Sequence, residues 1–472
     1  MTTMLEIPSA CQPLMAPLQS LLSALMAQLA CLLPGQSLDY ASVERQVAQG
    51  AAEIEKAAHQ VLLHHLDVDA PGVLIDGKKY IRAGRFEATY HTMAGDVVLE
   101  RTLYRDAQKR SGPTVDAVSL RAGVVGAGWL PEAAKAMAYL MQQGTSREAH
   151  NTAQQLCRLP YSRSSFDRVG HDVGELYVQS NMHVEQVLIE TLDVPPQATG
   201  LSVSLDRVSV PMEEPNPTPP PRPPGEERRR EVIRVFRMAY CGTVTLHDQE
   251  GRALQTIRYG RMPQGDAIGL CEGLASDVEE MRKKRPDLLV TLLADGSEEM
   301  WNLLDEQLNK QTLGVKPTRL VDFWHTLEKL GSAARVVYGD KADREVTRWR
   351  LLLLNDSAAA AQILGELRAS TKEWVSIGEK YPVHEAITYL ENHPDQMDYA
   401  EARRQGRPIG SGAVEATCKS LFEVRLKRSG SRWKEVTGEH IVQLRALALS
   451  ERWSEAMRLT LAPLRKTVRL VA

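Results

Sequence analysis

One run of this chain admits few folds. Leu288 to Ser297 (LLVTLLADGS) is almost unbroken in its apolar character until it stops at Asp295-Gly296. A strand with one face in water alternates polar and apolar positions; a run without alternation is covered on both faces, as in the middle of a sheet with helices above and below. The segments before it read as its neighbours. GLSVSLDRVSV (200–210) is a strand with Asp206 set among apolar positions, and VIRVFRMAYCGTVTLHD (232–248) and RALQTIRYGR (252–261) are two more strands around a turn at Gln249-Glu250-Gly251. Asp266 to Lys284 reads as a helix. After a short helix at Trp301, TRLVDFWHTLEKL (318–330) is a fifth strand turning into a helix, with Asp322 and His325 at the junction. The order is strand, strand, strand, helix, strand, strand. In a mixed sheet of this order the first and fourth strands lie side by side, so Asp206 and Asp295 meet at one edge.

A third acid comes from PIGSGAVEATCKSLFEVRLKRSGSRW (408–433). Gly410 and Gly412 are expected to supply backbone angles closed to other residues, letting the chain enter a helix sharply. Val414, Cys418, Leu421 and Phe422 then fall on one helical face, with Glu415 just off it in the first turn. The stretch turns basic at Lys419, Arg425, Lys427, Arg428, Arg432 and Lys434. Residues 401–434 hold nine Lys/Arg against three Glu, a local +6 in a chain of formal net charge −3. The overall balance is silent about nucleic acid; the local cluster suits a phosphodiester backbone. Burying the charge of Asp206 inside a strand is expensive, which singles it out. Asp206, Asp295 and Glu415 together would repel strongly without a cation. Two Mg²⁺ ions about 3.5–4 Å apart, held by oxygen ligands from several elements, are what phosphodiester chemistry needs, with Mn²⁺ as a substitute.

The rest of the chain is read more coarsely. Its 472 residues allow two to four domains, and 43% hydrophobic with 25% charged residues is ordinary for a globular protein. Six scattered cysteines without a CxxC point to neither a zinc ribbon nor a disulfide framework, and a reducing cytosol is the simplest home. Leu14 to Leu33 is uncharged but interrupted by Gln and Ser, with leucines at helical spacing; it reads as an amphipathic packing helix, not a membrane span or a signal peptide. Tyr40 to His65 is a second helix. Lys79 to Arg105, split at Ala94-Gly95-Asp96, reads as a β-hairpin. PEAAKAMAYLMQQ, TSREAHNTAQQLCRL (capped by Ser146) and SRSSFDRVGHDVGELYVQS are three short helices that fit a helix-turn-helix-like bundle, with Arg168 near the start of the last. A proline run from Pro215 to Pro224 is an extended excursion that cannot join a ladder. From Ser332 to about Asn392 the pattern is helical, with Trp349 and Trp374 as core anchors. A helical tail carries Leu444, Leu447 and Trp453.

SLDRVSV, LLADGSEEMWN, DFWHTLEKL, MDYAEARRQGRPIGSGAVEATCKSL and RLKRSGSRW resemble the transposases of the Kra-type insertion-sequence family, within the DDE superfamily. The resemblance covers residues from about Asn151 to the C-terminus. It implies an RNase H-like mixed sheet with an all-helical insertion, within a multidomain α/β and α+β chain. It places the family's catalytic and metal-binding acids on Asp206, Asp295 and Glu415, with Asp322 and His325 as accessory residues spaced like a D-x-x-H element. The implied domains are 1–128 (helices and hairpin), 129–195 (helix-turn-helix-like), 196–440 (catalytic, with the proline excursion at 211–230 and the insertion at about 332–395) and 441–472 (tail). The implied activity is metal-dependent hydrolysis at the ends of a DNA element followed by strand transfer into target DNA. Lys419, Arg425, Lys427, Arg428, Arg432 and Arg168 would contact double-stranded DNA, at terminal inverted repeats and target, in a homodimer or higher oligomer of a cytoplasmic, nucleoid-associated bacterial protein. The alternatives are a non-catalytic DNA-binding regulator and a nuclease without transfer. Two departures stand out: Arg207 follows the first acid where glycine is common, and Asp76-Gly77-Lys78-Lys79 stands where many relatives carry a zinc-binding cysteine pair.

Overall fold

The computed structural model describes residues 8–30, 39–109, 111–217 and 231–471. The chain divides into two compact units, Met1–Ser180 with Ser454–Ala472, and Asn181–Trp453. Cys31 to Leu33 and the prolines at 219, 220, 221, 223 and 224 lie outside the described residues.

The first unit holds a sheet of β1 (Gly72–Ile75), β2 (Lys78–Thr92), β3 (Gly95–Asp106) and β4 (Thr114–Asp116), flanked at β1 by the C-terminal strand Val468–Leu470. The expected hairpin is β2–β3, paired antiparallel from Tyr80↔Asp106 to Thr92↔Gly95 around a two-residue loop. Helix Tyr40–Leu66 closes the sheet: Leu63 is buried with Tyr90, Val97, Leu99 and Leu130. Helix Met15–Ala30 lies against it, with Leu21 over Gly50. No helix among the described residues is long and apolar enough to cross a membrane.

Three helices follow, and two details differ from expectation. The second, Ser146–Gln155, is capped by Thr145 rather than Ser146: Thr145 Oγ1 accepts the Glu148 N–H while the Glu148 carboxylate accepts the Thr145 N–H. The third is no short helix but a 28-residue rod, Arg163–Glu190. No Gly or Pro interrupts residues 175–194, and Val169, Val173, Tyr177, Val184 and Leu188 keep a buried stripe at helical spacing, so nothing stops the helix at residue 180.

The second unit is built on the sheet β7-β6-β5-β8-β9, of β5 (Gly200–Pro215), β6 (Val232–His247), β7 (Ala253–Arg261), β8 (Leu289–Ala294) and β9 (Thr318–Val321). β5 pairs antiparallel with β6 and parallel with β8, and β8 parallel with β9, so the first and fourth strands of this sheet are neighbours. On one face Leu201, Val203 and Leu205 join Leu270, Leu274 and Val278 of helix Ala267–Lys284 in the core. On the other, Val208, Val210 and Met212 pack with Val414, Leu421, Phe422 and Val442. Gly260 of β7 permits that layer, since a Cβ there would meet Val442 and Leu421 side-chain atoms at 2.6 and 2.7 Å.

β5 runs through Pro211 and Pro215, which were expected to lie in the proline excursion, outside any ladder. Glu213 N–H donates to Trp433 O, on the side of β5 away from β6. Residues 211 and 215 share that side, so neither proline removes a donor from the β5–β6 ladder. Between β9 and Glu415 stand helices Phe323–Tyr338, Ala342–Asn355, Ala359–Arg368, Pro382–Asn392 and Tyr399–Arg404. Trp349 is buried there, its indole N–H donating to Glu366 Oε2 at 2.8 Å. Trp374 is not a core anchor: it is 64% exposed.

Candidate active site

Three aspartates stand in one row. Ser204 pairs with Leu293, and Ala294 with Val321, across parallel strands. Continuing those registers by one or two residues aligns Asp206, in the middle of β5, with Asp295 and Asp322, which directly follow β8 and β9. In-register residues of adjacent strands share a face, with strands about 4.8 Å apart. The ladder carries this far at β9, where Asp322 N–H donates to Ala294 O at 2.8 Å.

Asp322 is the anchor. It is 0% exposed and caps helix Phe323–Tyr338, Oδ1 accepting the His325 N–H at 2.7 Å. Oδ2 accepts the Ser411 N–H. Burial, the largest influence, pushes its pKa up, but the hydrogen bonds from His325 and Ser411 outweigh it and hold the carboxyl at about 2. His325 Nδ1 lies 3.3 Å from Asp322 Oδ1 and 3.7 Å from Glu415 Oε1. The bond to Asp322 raises the imidazole to about 9 against the opposing effect of burial, with the charges of Asp322, Glu415 and Asp295 adding to it. His325 is therefore a cation at neutral pH and offsets part of the mutual repulsion of the acids.

The same contacts explain the Gly-Ser-Gly turn, differently from the expectation. Neither Gly410 nor Gly412 has a positive φ. Gly410 is small because the turn runs against Trp324, where a Cβ would meet the indole at 3.2 Å; around Gly412 there is open space. Ser411 ties the turn to the site, its N–H to Asp322 and its hydroxyl donating to Glu415 Oε1 at 3.1 Å. Glu415 is exposed in helix Gly412–Thr417, which continues into a wider π-helical turn, Cys418–Glu423.

Asp206 faces that turn. Cys418 Sγ donates to Asp206 Oδ2 at 3.5 Å, and the Arg207 N–H to Oδ1 at 2.7 Å. Burial first, then the charge of Asp295, raise the Asp206 pKa against these bonds. The Cys418 thiol is held protonated by its neighbour Cys241 and by burial. Arg207 points away from the acids: it pairs with Glu299, which also accepts a hydrogen bond from Tyr240 Oη at 3.0 Å. Asp295 Oδ1 accepts the Ser297 N–H at 2.9 Å.

The basic stretch divides. Lys419, Arg432 and Lys434 are exposed. Lys427 pairs with Glu423 at 2.9 Å, and half-buried Arg428 donates to Val424 O at 3.1 Å. Arg425 departs from the expected surface position: it is 3% exposed, with its guanidinium 4.8 Å from the Trp433 ring centroid. It lies three and four residues beyond Phe422 and Leu421, on the buried side of the helix. Arg168 is exposed near the start of helix Arg163–Glu190, in the first unit.

Ligand atoms of Asp322, His325 and Glu415 all lie within 4.8 Å of one another. With Asp206 and Asp295 alongside, the donor set is mainly carboxylate oxygen, which suits a hard divalent cation such as Mg²⁺ or Mn²⁺. Both oxygens of Asp322 are engaged by backbone N–H groups, whereas Asp206 Oδ2 meets a thiol, a weak donor, and Glu415 Oε1 meets the Ser411 hydroxyl and, at 3.7 Å, His325 Nδ1. Of the expected trio, only Glu415 belongs to the group of ligand atoms that come together among the described residues; Asp206 and Asp295 are not in it. Ser411 and Cys418 went unassigned in the sequence; their signal was position, four residues before Glu415 and three after it.

No family model matches this chain, and no curated protein does. Among solved structures, the Drosophila P element transposase strand transfer complex is similar over 68% of this chain and 79% of that one, at 10% identity and a TM-score of 0.23. A likeness at that level decides neither fold nor function.

Proposed function

We propose that the chain is a DDE-type DNA transposase whose RNase H-like catalytic domain spans about residues 196–440. The observation that carries this reading is the alignment of Asp206, inside β5, with Asp295 and Asp322, directly after the adjacent parallel strands β8 and β9, with Glu415 of a late helix beside His325. The strand order β7-β6-β5-β8-β9 supports the RNase H-like assignment, and the helices between β9 and Glu415 correspond to the all-helical insertion.

Asp206, Asp295 and Glu415 would hold two Mg²⁺ or Mn²⁺ ions, which when bound activate an attacking hydroxyl and stabilise a leaving oxygen. Asp206 sits on β5 and Asp295 directly follows the neighbouring β8, so the paired strands hold their backbones in place before substrate arrives. Asp322 fixes His325 and the Ser411 turn, and through that turn Glu415. His325, as imidazolium, places positive charge beside the reacting phosphate. The same acids would serve hydrolysis at the element end and attack of the freed 3′-hydroxyl on target DNA. Lys419 and Arg432 would neutralise phosphates of double-stranded DNA, and the N-terminal helices with residues 129–195 would recognise terminal repeats and join protomers into a dimer or higher oligomer.

The test is incubation of a labelled duplex carrying the inverted repeats that flank the coding sequence with Mg²⁺ or Mn²⁺, comparing wild type and Asp295→Asn. Wild type should cleave and join, and the variant should do neither. Binding with no cleavage by wild type would instead indicate a DNA-binding regulator, and cleavage without joining a nuclease.

A further inference from the structure

A groove of about 570 Å³ leads away from the acids. Its lining includes Asp295 and His325 of the site and, from a later segment, Ile377 and Pro382. One wall is a single face of helix Phe323–Tyr338, on which His325, Lys329, Ser332 and Arg335 follow one another. From His325 to Arg335 that face rises about 15 Å, the rise of about four stacked nucleotides. Lys380 joins Lys329 and Arg335 in the lining, against the two acids Glu328 and Glu385, so beyond Asp295 the groove is weakly cationic.

The segment that gives Ile377 and Lys380 to the lining is the second observation. Trp374, Val375, Ile377 and Tyr381 are all exposed, four large apolar side chains within one turn-rich segment between helices. Exposed apolar groups concentrated in this way mark a binding surface. Trp374 is also fixed. His384 stacks on it at 4.1 Å between ring centroids, and His384 Nδ1 lies 3.0 Å from Glu373 Oε1. Reciprocal backbone hydrogen bonds between Ile377 and Lys380 close the turn that follows. The Tyr381 ring stands edge-on to the same indole, 6.0 Å away, and Trp374 remains 64% exposed; an indole held in this way with much of its surface open is a stacking platform.

We infer that this groove binds unpaired nucleotides of the DNA strand that enters the site, with a base stacked on Trp374 and phosphates on Lys329, Arg335 and Lys380. This rests on the proposed function and adds the state of the substrate. Bases inside a duplex have their faces occupied by their neighbours; only an unstacked base offers one to an aromatic side chain. The modest positive charge leaves stacking to supply much of the affinity.

The test is fluorescence anisotropy in EDTA, using a labelled oligothymidylate of about eight nucleotides and a duplex of equal length. Variants are Trp374→Ala, Trp374→Phe and Lys329→Ala/Arg335→Ala. Trp374→Ala should weaken single-strand binding by about 5- to 150-fold while Trp374→Phe keeps most of it. The double variant should lower the slope of log K against log salt by about 1.4. Duplex binding should change little with Trp374→Ala. Unchanged single-strand affinity in Trp374→Ala, or equal losses for duplex and single strand, would overturn the inference. Trp374-dependent single-strand binding by a protein that never cleaves would leave the groove standing and remove the transposase reading. Cleavage with no Trp374 effect on binding would do the reverse.

Discussion

Replacing Asp322 by Asn separates the charge of this buried residue from its shape. Asn is as good a helix cap as Asp and keeps one oxygen for the His325 N–H, while its NH2 group takes the place of the oxygen that accepts from the Ser411 N–H. What it removes is the anion and that second acceptor. The fall of the Asp322 pKa from 3.8 to about 2 corresponds to about 2 kcal/mol in favour of the ionised form, and the side chain is 0% exposed, so solvent screens little of it. His325 is 39% exposed in its side chain, and its share is the same interaction seen from the other partner, so it is not counted again. The signs give a window. The lowered carboxyl contributes stability above about 4 and loses it as pH falls through about 2. The raised imidazole contributes below about 6.5 and loses its share as pH rises through about 9. The pair is therefore strongest between about pH 4 and 6.5. In EDTA, ¹³C-histidine NMR should show a resonance, absent from His325→Gln, titrating near 9 in wild type and well below that in Asp322→Asn. Asp322→Ala should cost about 1 kcal/mol more than Asp322→Asn for the lost cap, since the Ser411 N–H loses its acceptor in both. A His325 resonance titrating at the same pH in wild type and Asp322→Asn would refute the pairing.

The buried pair of Asp277 and Tyr259, whose Oη donates to Asp277 Oδ2 at 2.6 Å, gives a pH dependence of opposite sense to that of an ion-paired carboxylate. Burial raises Asp277 to about 7 against the pull of Arg452, so its contribution to stability should fall as pH rises from about 4 to 7, by up to about 1.4 kcal/mol per unit; melting curves of Asp277→Asn should lack that slope. Trp349→Ala should cost about 3–5 kcal/mol by chemical denaturation, while Trp374→Ala should stay within about 0.5, since only the first is buried. Arg432→Ala should leave the melting temperature unchanged and reduce the salt slope of duplex binding by about 1, whereas Arg425→Ala should lower the melting temperature, because Arg425 is packed against Trp433.

Much of the second sheet was legible because its signals are local. The unbroken LLVTLLA run, the alternation around Asp206 and the turn at 249–251 each need only neighbouring residues to be read, and together they fix which strands stand side by side. The buried set Val414, Cys418, Leu421 and Phe422 follows from helical spacing in the same way. Burial of single residues at the margins of a pattern was not legible. Trp374 looked like core and is exposed; Arg425 looked like surface and is buried. Size and charge state a preference, and the packing of distant helices settled each case.

The site divides along the same line. The chain's own pattern put one acid within the first strand, one at the end of the fourth, and another early in a late helix. Only the folded molecule raised Asp322 from accessory to anchor. Beyond the local cap to His325, its bond to the Ser411 N–H, the Ser411 hydroxyl bond to Glu415 and the 3.7 Å approach of His325 to Glu415 join residues from 322 to 415 in a way no spacing rule contains. A strand's register is written in nearest neighbours; the hydrogen-bond partners of a buried carboxylate are chosen by whatever the fold brings within 3 Å of it.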